Sequence, residues 1–283
     1  MASEHIKATI VYCSPGGSTL NVAQVIKKGL EGDAAEVTMV DLAAKKEPGA
    51  AGAGPEDGAR ILFVGSPVYG GHAIPPVMDW LAEVDGASFD YAVPFVTYGG
   101  VMSGVAIQEM AEVMEEKEMV VLGAAKIVGE HTMMWEVDDP LGKGCPGGAE
   151  DAMVANLVTT VLAKMNKGTA DDLAVSPSVL RYQPEEIYEH HKTFNLALIK
   201  PQAPKRIVNE ELCGECQVCA EHCPTDAITF APYPEFGDDC IICYNCVKEC
   251  PEKAIEVDMT PAHGYIRARA TQFDEGAESK IYV

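Results

Sequence analysis

The sequence predicts an α/β fold: a doubly wound parallel sheet of five strands, followed by a small α+β unit. Three observations carry this expectation. Five apolar runs alternate with helix-like segments up to about residue 168, the pattern of a parallel sheet covered on both faces. The first run leads into a loop of small residues, SPGGST at 14–19, placed between a strand and a helix. Eight of the ten cysteines then fall between 213 and 250 in two runs of identical spacing.

In chain order, strands are expected at 8–13, 36–41, 60–65, 91–98 and 120–128, and helices at 20–30, 75–84, 104–116 and 150–167. The stretch 43–58 (AAKKEPGAAGAGPEDG) is rich in Ala, Gly and Pro, which predicts a short helix or a loop there. The expected division is 1–168 for the sheet, 169–205 for a proline-punctuated connector with a helix around 184–198, 206–259 for the cysteine unit, and 260–283 for a tail of weak periodicity.

Composition narrows the function classes. The chain has 283 residues, 47% of them hydrophobic, and a formal charge of −22. That balance is adequate for a core. It argues against nucleic acid, which needs clustered Lys and Arg, and against anionic membrane surfaces. No window reaches the ~18 apolar residues of a membrane span, and no leader pattern is visible at Met1, so a cytoplasmic protein without membrane insertion is expected. Ten thiols in that compartment point to metal binding rather than disulfides.

The cysteine unit repeats with a period of 27. CGECQVCAEHCPTDAI (213–228) aligns with CIICYNCVKECPEKAI (240–255), each C-x2-C-x2-C-x3-C-P followed by Ala-Ile. This is the bacterial ligand pattern for two [4Fe–4S] clusters. Three closely spaced thiolates take three corners of one cube, and the fourth, turned by its proline, reaches the other. One cluster is thus assigned to Cys213, Cys216, Cys219 and Cys250, and the second to Cys240, Cys243, Cys246 and Cys223. Zinc is the weaker alternative, since it has no need of eight cysteines in two identical runs. The unit resembles two-cluster ferredoxins over its whole length. Ile228, Ile255, Val218, Ile242 and Val247 would form a dry shell. Twelve Asp and Glu against three Lys and Arg between 206 and 259 give a negative field that opposes reduction.

The SPGGST loop lacks the G-x4-G-K-[ST] and G-x-G-x-x-G strings of nucleotide sites. Its hydroxyls and the amides of the following helix suit a single terminal phosphate. Two further loops, SPVYGGHAIPP (66–76) and TYGGVMSG (97–104), should gather beside it at the carboxyl ends of the strands. Here the chain resembles flavodoxins, whose loop S/T-x-T-G-x-T is matched by Ser14, Gly17 and Thr19, with Gly16 replacing a Thr. The resemblance implies FMN. Its phosphate would lie at Ser14, Gly16, Gly17, Ser18, Thr19 and Leu20, and its ring against Pro67, Val68, Tyr69, Gly70, Gly71, Thr97, Tyr98, Gly99 and Gly100.

Other residues carry weaker expectations. Cys13 reads as a small buried side chain, Cys145 as incidental, and His190-His191 as no metal site. His72 borders the second loop, in a binding or a solvent-exposed role. The long segment 131–148, with Trp135 as anchor, would shield the flavin, receive the cysteine unit, or pack on its own domain.

As a whole the chain resembles ferredoxin–flavodoxin fusions, which implies electron transfer between clusters and flavin. An acidic surface suits a redox protein partner with a basic docking face, and a homo-oligomer is left open. The rival readings are a flavin-dependent reductase of a small acceptor such as a quinone, and a redox sensor.

Overall fold

The computed structural model describes residues 6–32, 36–44, 58–166 and 173–283. In chain order the first elements are β1 (Ile6–Tyr12), α1 (Ser18–Gly32), β2 (Glu36–Asp41), β3 (Ala59–Tyr69), β4 (His72–Ala73), α2 (Pro75–Glu83), β5 (Tyr91–Tyr98), α3 (Ala106–Glu116), β6 (Val120–Val121), β7 (Ala124–Val128) and α4 (Gly148–Met165). The main sheet runs β2-β1-β3-β5-β7, all parallel. Counting only these five, the order is 2-1-3-4-5, that of flavodoxin-like doubly wound sheets.

The strands explain the two faces. Along β1 and β3, Ile10, Ile61 and Phe63 point into a core shared with Ile26 and Leu30 of α1 and Leu157 and Val161 of α4. Their alternate neighbours Val11, Leu62 and Val64 face Leu81 of α2 and Ile107 and Met110 of α3. Period-two alternation with apolar residues on both sides is what a sheet covered twice requires. Each fully buried large side chain contributes roughly 1.5–3 kcal/mol. Phe95 and Gly65 are register partners on β5 and β3. A Cβ at Gly65 would stand 2.2 Å from the Phe95 ring, so the strand passes under the aromatic only because it has no side chain there.

The predicted strand at 120–128 is split into β6 and β7. At Gly123 the sheet comes so close to α4 that an added Cβ would lie 2.9 Å from Leu157. The Ala/Gly/Pro stretch lies almost wholly outside the described residues. The connector forms three short helices, α5 (Pro177–Leu180), α6 (Glu185–His191) and α7 (Leu196–Ile199). The single helix expected around 184–198 is interrupted because Asn195 turns its side chain back to accept from the Ala197 amide at 3.0 Å and caps a new helix.

The cysteine unit comprises β8 (Ile207–Val208), α8 (Val218–Glu221), β9 (Ile228–Phe230), β10 (Pro234–Phe236), α9 (Asn245–Lys248) and β11 (Ile255–Glu256), with β9 paired to β10 and β11 to β8. It shares the α2/α3 core through Ile241 and Cys243.

The tail departs most from expectation. It forms a helix, α10 (Thr260–Phe273), and a strand, β12 (Lys280–Tyr282), that adds antiparallel to the β7 edge as a sixth strand. Start signals for α10 are present: the Thr260 amide donates to Asp258 at 3.0 Å and Pro261 sits in the first turn. The helix lacks a strong apolar stripe, which hides it from periodicity. No helix among the described residues is long and apolar enough to cross a membrane.

Candidate cofactor sites

A cavity of about 540 Å³ opens at the carboxyl ends of β1, β3, β5 and β7, where ligands bind in doubly wound sheets. Gly16, Ser18, Thr19, Pro67, Val68, Tyr69, Gly70, Gly71, Thr97, Tyr98 and Gly99 line it. Ser14, Gly17, Leu20 and Gly100 stand outside its wall.

The loop before α1 leaves part of the helix N-terminus without acceptors. Ser14 Oγ accepts from the Leu20 amide at 2.8 Å, and the Ser14 carbonyl accepts from the Gly17 amide at 3.3 Å. Those bonds use two of the first four orphan amides of the helix. The Ser18 and Thr19 amides have no acceptor among the described residues. The Thr19 and Thr97 hydroxyls, both buried, meet at 2.8 Å and fix this loop to the end of β5. Gly16 admits the following wall: a Cβ there would stand 2.2 Å from the Thr132 methyl. Gly71, at φ +85°, is in the left-handed region, and a Cβ would run into the His191 ring at 2.0 Å.

The two tyrosines differ. Tyr69 is deeply buried, burial pushes its phenol up, and its hydroxyl lies near Thr132 without a hydrogen bond of full geometry. Such an orphaned polar group in a cavity wall is suited to a ligand. Tyr98 instead gives its hydroxyl to the tail, donating to the Glu278 carbonyl at 2.9 Å and accepting from the Glu278 amide at 3.0 Å.

Four parts of the wall were not read from sequence as flavin-contacting residues. They are Gly129 and Glu130, Phe194 to Pro204 in the connector, Ile242 beside Cys243, and the Ala262, Tyr265, Ile266, Arg269 and Phe273 face of α10. The spacing of that last group follows one side of a helix. His131 accepts from the Met133 amide at Nδ1 (3.2 Å), which puts its proton on Nε2. Burial, and the nearby His263, push it down to about 4, so it is neutral at ordinary pH. His72 bridges loop and connector: Nδ1 meets Glu109 at 2.9 Å and Nε2 faces the His191 carbonyl at 3.1 Å. In segment 131–148, Thr132 and Met133 line the cavity while Trp135 lies 6.1 Å from the Tyr244 ring of the cysteine unit.

In the cysteine unit, Cys213, Cys216, Cys219 and Cys250 line one small hollow. Cys246 is the electrostatic neighbour of Cys240, Cys243 and Cys223, and also reaches Cys219. Burial pushes the Cys219 thiol up to about 11 and Cys243 up to about 12. The described residues contain no group of three or more His, Cys, Asp or Glu arranged around a single metal ion. A cubane makes a different demand, because each thiolate binds its own iron.

The backbone carries the repeat more strictly than the side chains do. Non-glycine residues with positive φ occur at Glu215 and Ile242, Gln217 and Tyr244, and Asp226 and Lys253. Each pair is separated by the 27-residue period. Left-handed residues are costly, at about 1–3 kcal/mol each, and here they curl both loops identically. The Ile242 and Ala254 amides donate to Cys240 and Cys250 sulfurs, each at 3.3 Å.

Residues 206–229 match the 4Fe-4S binding domain family. No curated protein matches the chain in sequence. Among solved structures, a flavodoxin from the domain Archaea is 22% identical with a TM-score of 0.42, covering 56% of this chain and 99% of its own. Rubredoxin oxygen:oxidoreductase from the anaerobe Desulfovibrio gigas is 18% identical with a TM-score of 0.43, covering 56% of this chain and 36% of its own. Flavodoxin 1 from Bacillus cereus is 14% identical with a TM-score of 0.40, covering 56% and 97%. The fold rests on the strand order rather than on these values. A flavodoxin-like sheet and a 4Fe-4S binding unit are joined in one chain.

Proposed function

We propose that this chain is an electron-transfer protein carrying two [4Fe–4S] clusters and one FMN, acting in the cytoplasm with a redox protein as its partner. Clusters exchange electrons singly and FMN exchanges one or two, so the protein's task is to hold and tune them. The phosphate would rest on the Ser18 and Thr19 amides, and the ring would lie in the cavity walled by Tyr69 and the connector. The clusters would be held by the two sets of four cysteines.

The observation carrying this reading is the position of Cys243. It belongs to the same buried core as Cys13, against which the partly buried Tyr69 packs, and its neighbour Ile242 forms part of the cavity wall. The cluster unit thus abuts the flavin cavity. Ten free thiols suit a reducing compartment. The matching left-handed positions of the second repeat support a second cluster beyond the matched residues.

The test is metal and flavin analysis of anaerobically purified protein. About eight irons and one FMN per chain are expected from the ligand sets; zinc, or absence of flavin, would overturn the reading. Cys250→Ala should remove the cluster of Cys213, Cys216 and Cys219 and spare the other, read by electron paramagnetic resonance. Loss of the opposite cluster would reverse the crossed ligation.

A further inference from the structure

The two sets of cysteines have unlike surroundings. Arg206 Nη1 donates to Cys240 Sγ at 3.3 Å and approaches Cys246 Sγ at 3.7 Å. Its guanidinium is held 4.0 Å above the Phe236 ring. Lys248 lies within electrostatic reach of Cys243 and Cys246. This inner set therefore has two cations and a charge-assisted donor, and it is the one packed against the flavin cavity.

The outer set has neither cation. Cys216 is exposed, Cys219 is buried, and Cys213 and Cys250 are intermediate. The hollow they line includes Glu252, and Glu215 beside Cys216 is exposed.

Net charge, hydrogen bonds to sulfur and solvent exposure set cluster potentials. Adding an electron makes a cluster more negative, so a nearby cation or N–H···S bond favours the reduced form and a carboxylate disfavours it. Exposure to water acts against the second trend at the outer set, because solvent also stabilises the added charge. The Arg206 guanidinium, donating to sulfur at contact range, outweighs it, being unscreened by the water that dilutes the effect of Glu252, and Lys248 adds to it from farther off.

We infer that Arg206, aided by Lys248, raises the potential of the inner cluster above that of the outer one, so that a single electron given to the pair rests beside the flavin cavity. This deepens the proposed function and depends on both clusters being present. One electron leaving the reduced outer cluster reduces the oxidised inner one, with no atoms transferred. The partner donor would reach the chain at Cys216. Arg206 acts here as a positioning and tuning residue, since it binds no substrate.

The experiment is an anaerobic redox titration of the full chain followed by electron paramagnetic resonance, with iron and sulfide measured on each sample. Native protein should titrate in two separate cluster steps. Arg206→Gln should move the upper step down and leave the lower one in place, while Arg206→Lys restores part of the difference. Glu252→Gln, an exposed change with no bearing on folding, should move only the lower step, upward. Equal shifts of both steps, an unmoved upper step in Arg206→Gln, or Glu252→Gln shifting the upper step would overturn the inference. A single step with about four irons in native protein would instead overturn the two-cluster reading beneath it. If Arg206→Gln loses iron, Arg206→Lys and Lys248→Gln decide, and an upper step unmoved in both would overturn the inference.

Discussion

Lys126 Nζ lies 2.7 Å from Glu275 Oε1, an ion pair spanning 149 residues with side-chain exposures of 7% and 9%. Glu275 also accepts from the Ser103 amide and the Gln183 side chain, both at 2.8 Å, and from the Ser103 hydroxyl. Burial alone would push this carboxyl up, but its bonds to Lys126 and Ser103 hold it below its ordinary value. The pair fastens the segment just after α10 to β7, the last strand of the parallel sheet, and α10 forms part of the cavity wall.

Breaking that fastening should expose the cavity. Lys126→Met leaves the Glu275 charge buried and uncompensated, costing about 3–5 kcal/mol. The expected outcome is a lower unfolding midpoint together with faster FMN dissociation, by at least about tenfold (1.4 kcal/mol). Pairing it with Glu275→Gln should recover much of the stability. Stopped-flow release of flavin fluorescence, alongside denaturant titration, reads both quantities. Unaltered release would mean that the tail does not retain the cofactor.

Thr19→Ala tests the anion loop. It removes a hydroxyl beside the phosphate position and leaves the buried Thr97 hydroxyl without its 2.8 Å partner, at a cost of about 1–3 kcal/mol. FMN affinity should fall about tenfold or more with iron content unchanged, as measured by flavin fluorescence quenching. Equal affinity would reduce SPGGST to a structural turn.

How far the sequence foretold these contacts depends on the range of the interaction that fixes them. Strands such as 91–98 were legible because local apolar patterning and burial coincide. The 4Fe-4S binding unit was legible because its cysteine spacing is a local feature of the chain. Tyr98 lines the cavity, but its hydroxyl partner is Glu278, 180 residues away. No local signal reports such a contact. The same holds for the adjacency of Cys243 to Tyr69, and for β12, a three-residue strand whose pairing comes from the exposed β7 edge rather than from its own propensity.

His131 should give the protein a defined acid sensitivity. Burial pushes it down to about 4 from 6.5, so the unfolded chain binds more protons between those values and stability falls as pH drops. The contribution is complete above 6.5 and is lost progressively toward 4. It amounts to at most ~3 kcal/mol, less for the access that the cavity gives to water. His131→Gln should flatten the decline of unfolding free energy between pH 6.5 and 4, measured in urea. A slope identical to native would assign that decline to other groups.

Partner encounter should depend on charge. Glu215, Glu221 and Glu249 are all exposed on the cysteine unit, in a segment holding twelve acids and three bases. Such a surface steers a basic donor or acceptor toward the cubanes, and redox encounters bury little area, so charge governs the association rate more than apolar contact does. Salt shortens the reach of that field to ~8 Å at physiological strength. Electron transfer with a basic protein partner should therefore slow as salt rises. Reduction of FMN by a small neutral reductant should change little, because no long-range field guides an uncharged molecule. Replacing the three glutamates together by glutamine should flatten the salt dependence and leave the iron content intact. Stopped-flow traces across a salt series on native and triple-variant protein measure this. A native rate indifferent to salt would place docking on an apolar surface and leave the acidity to serve solubility.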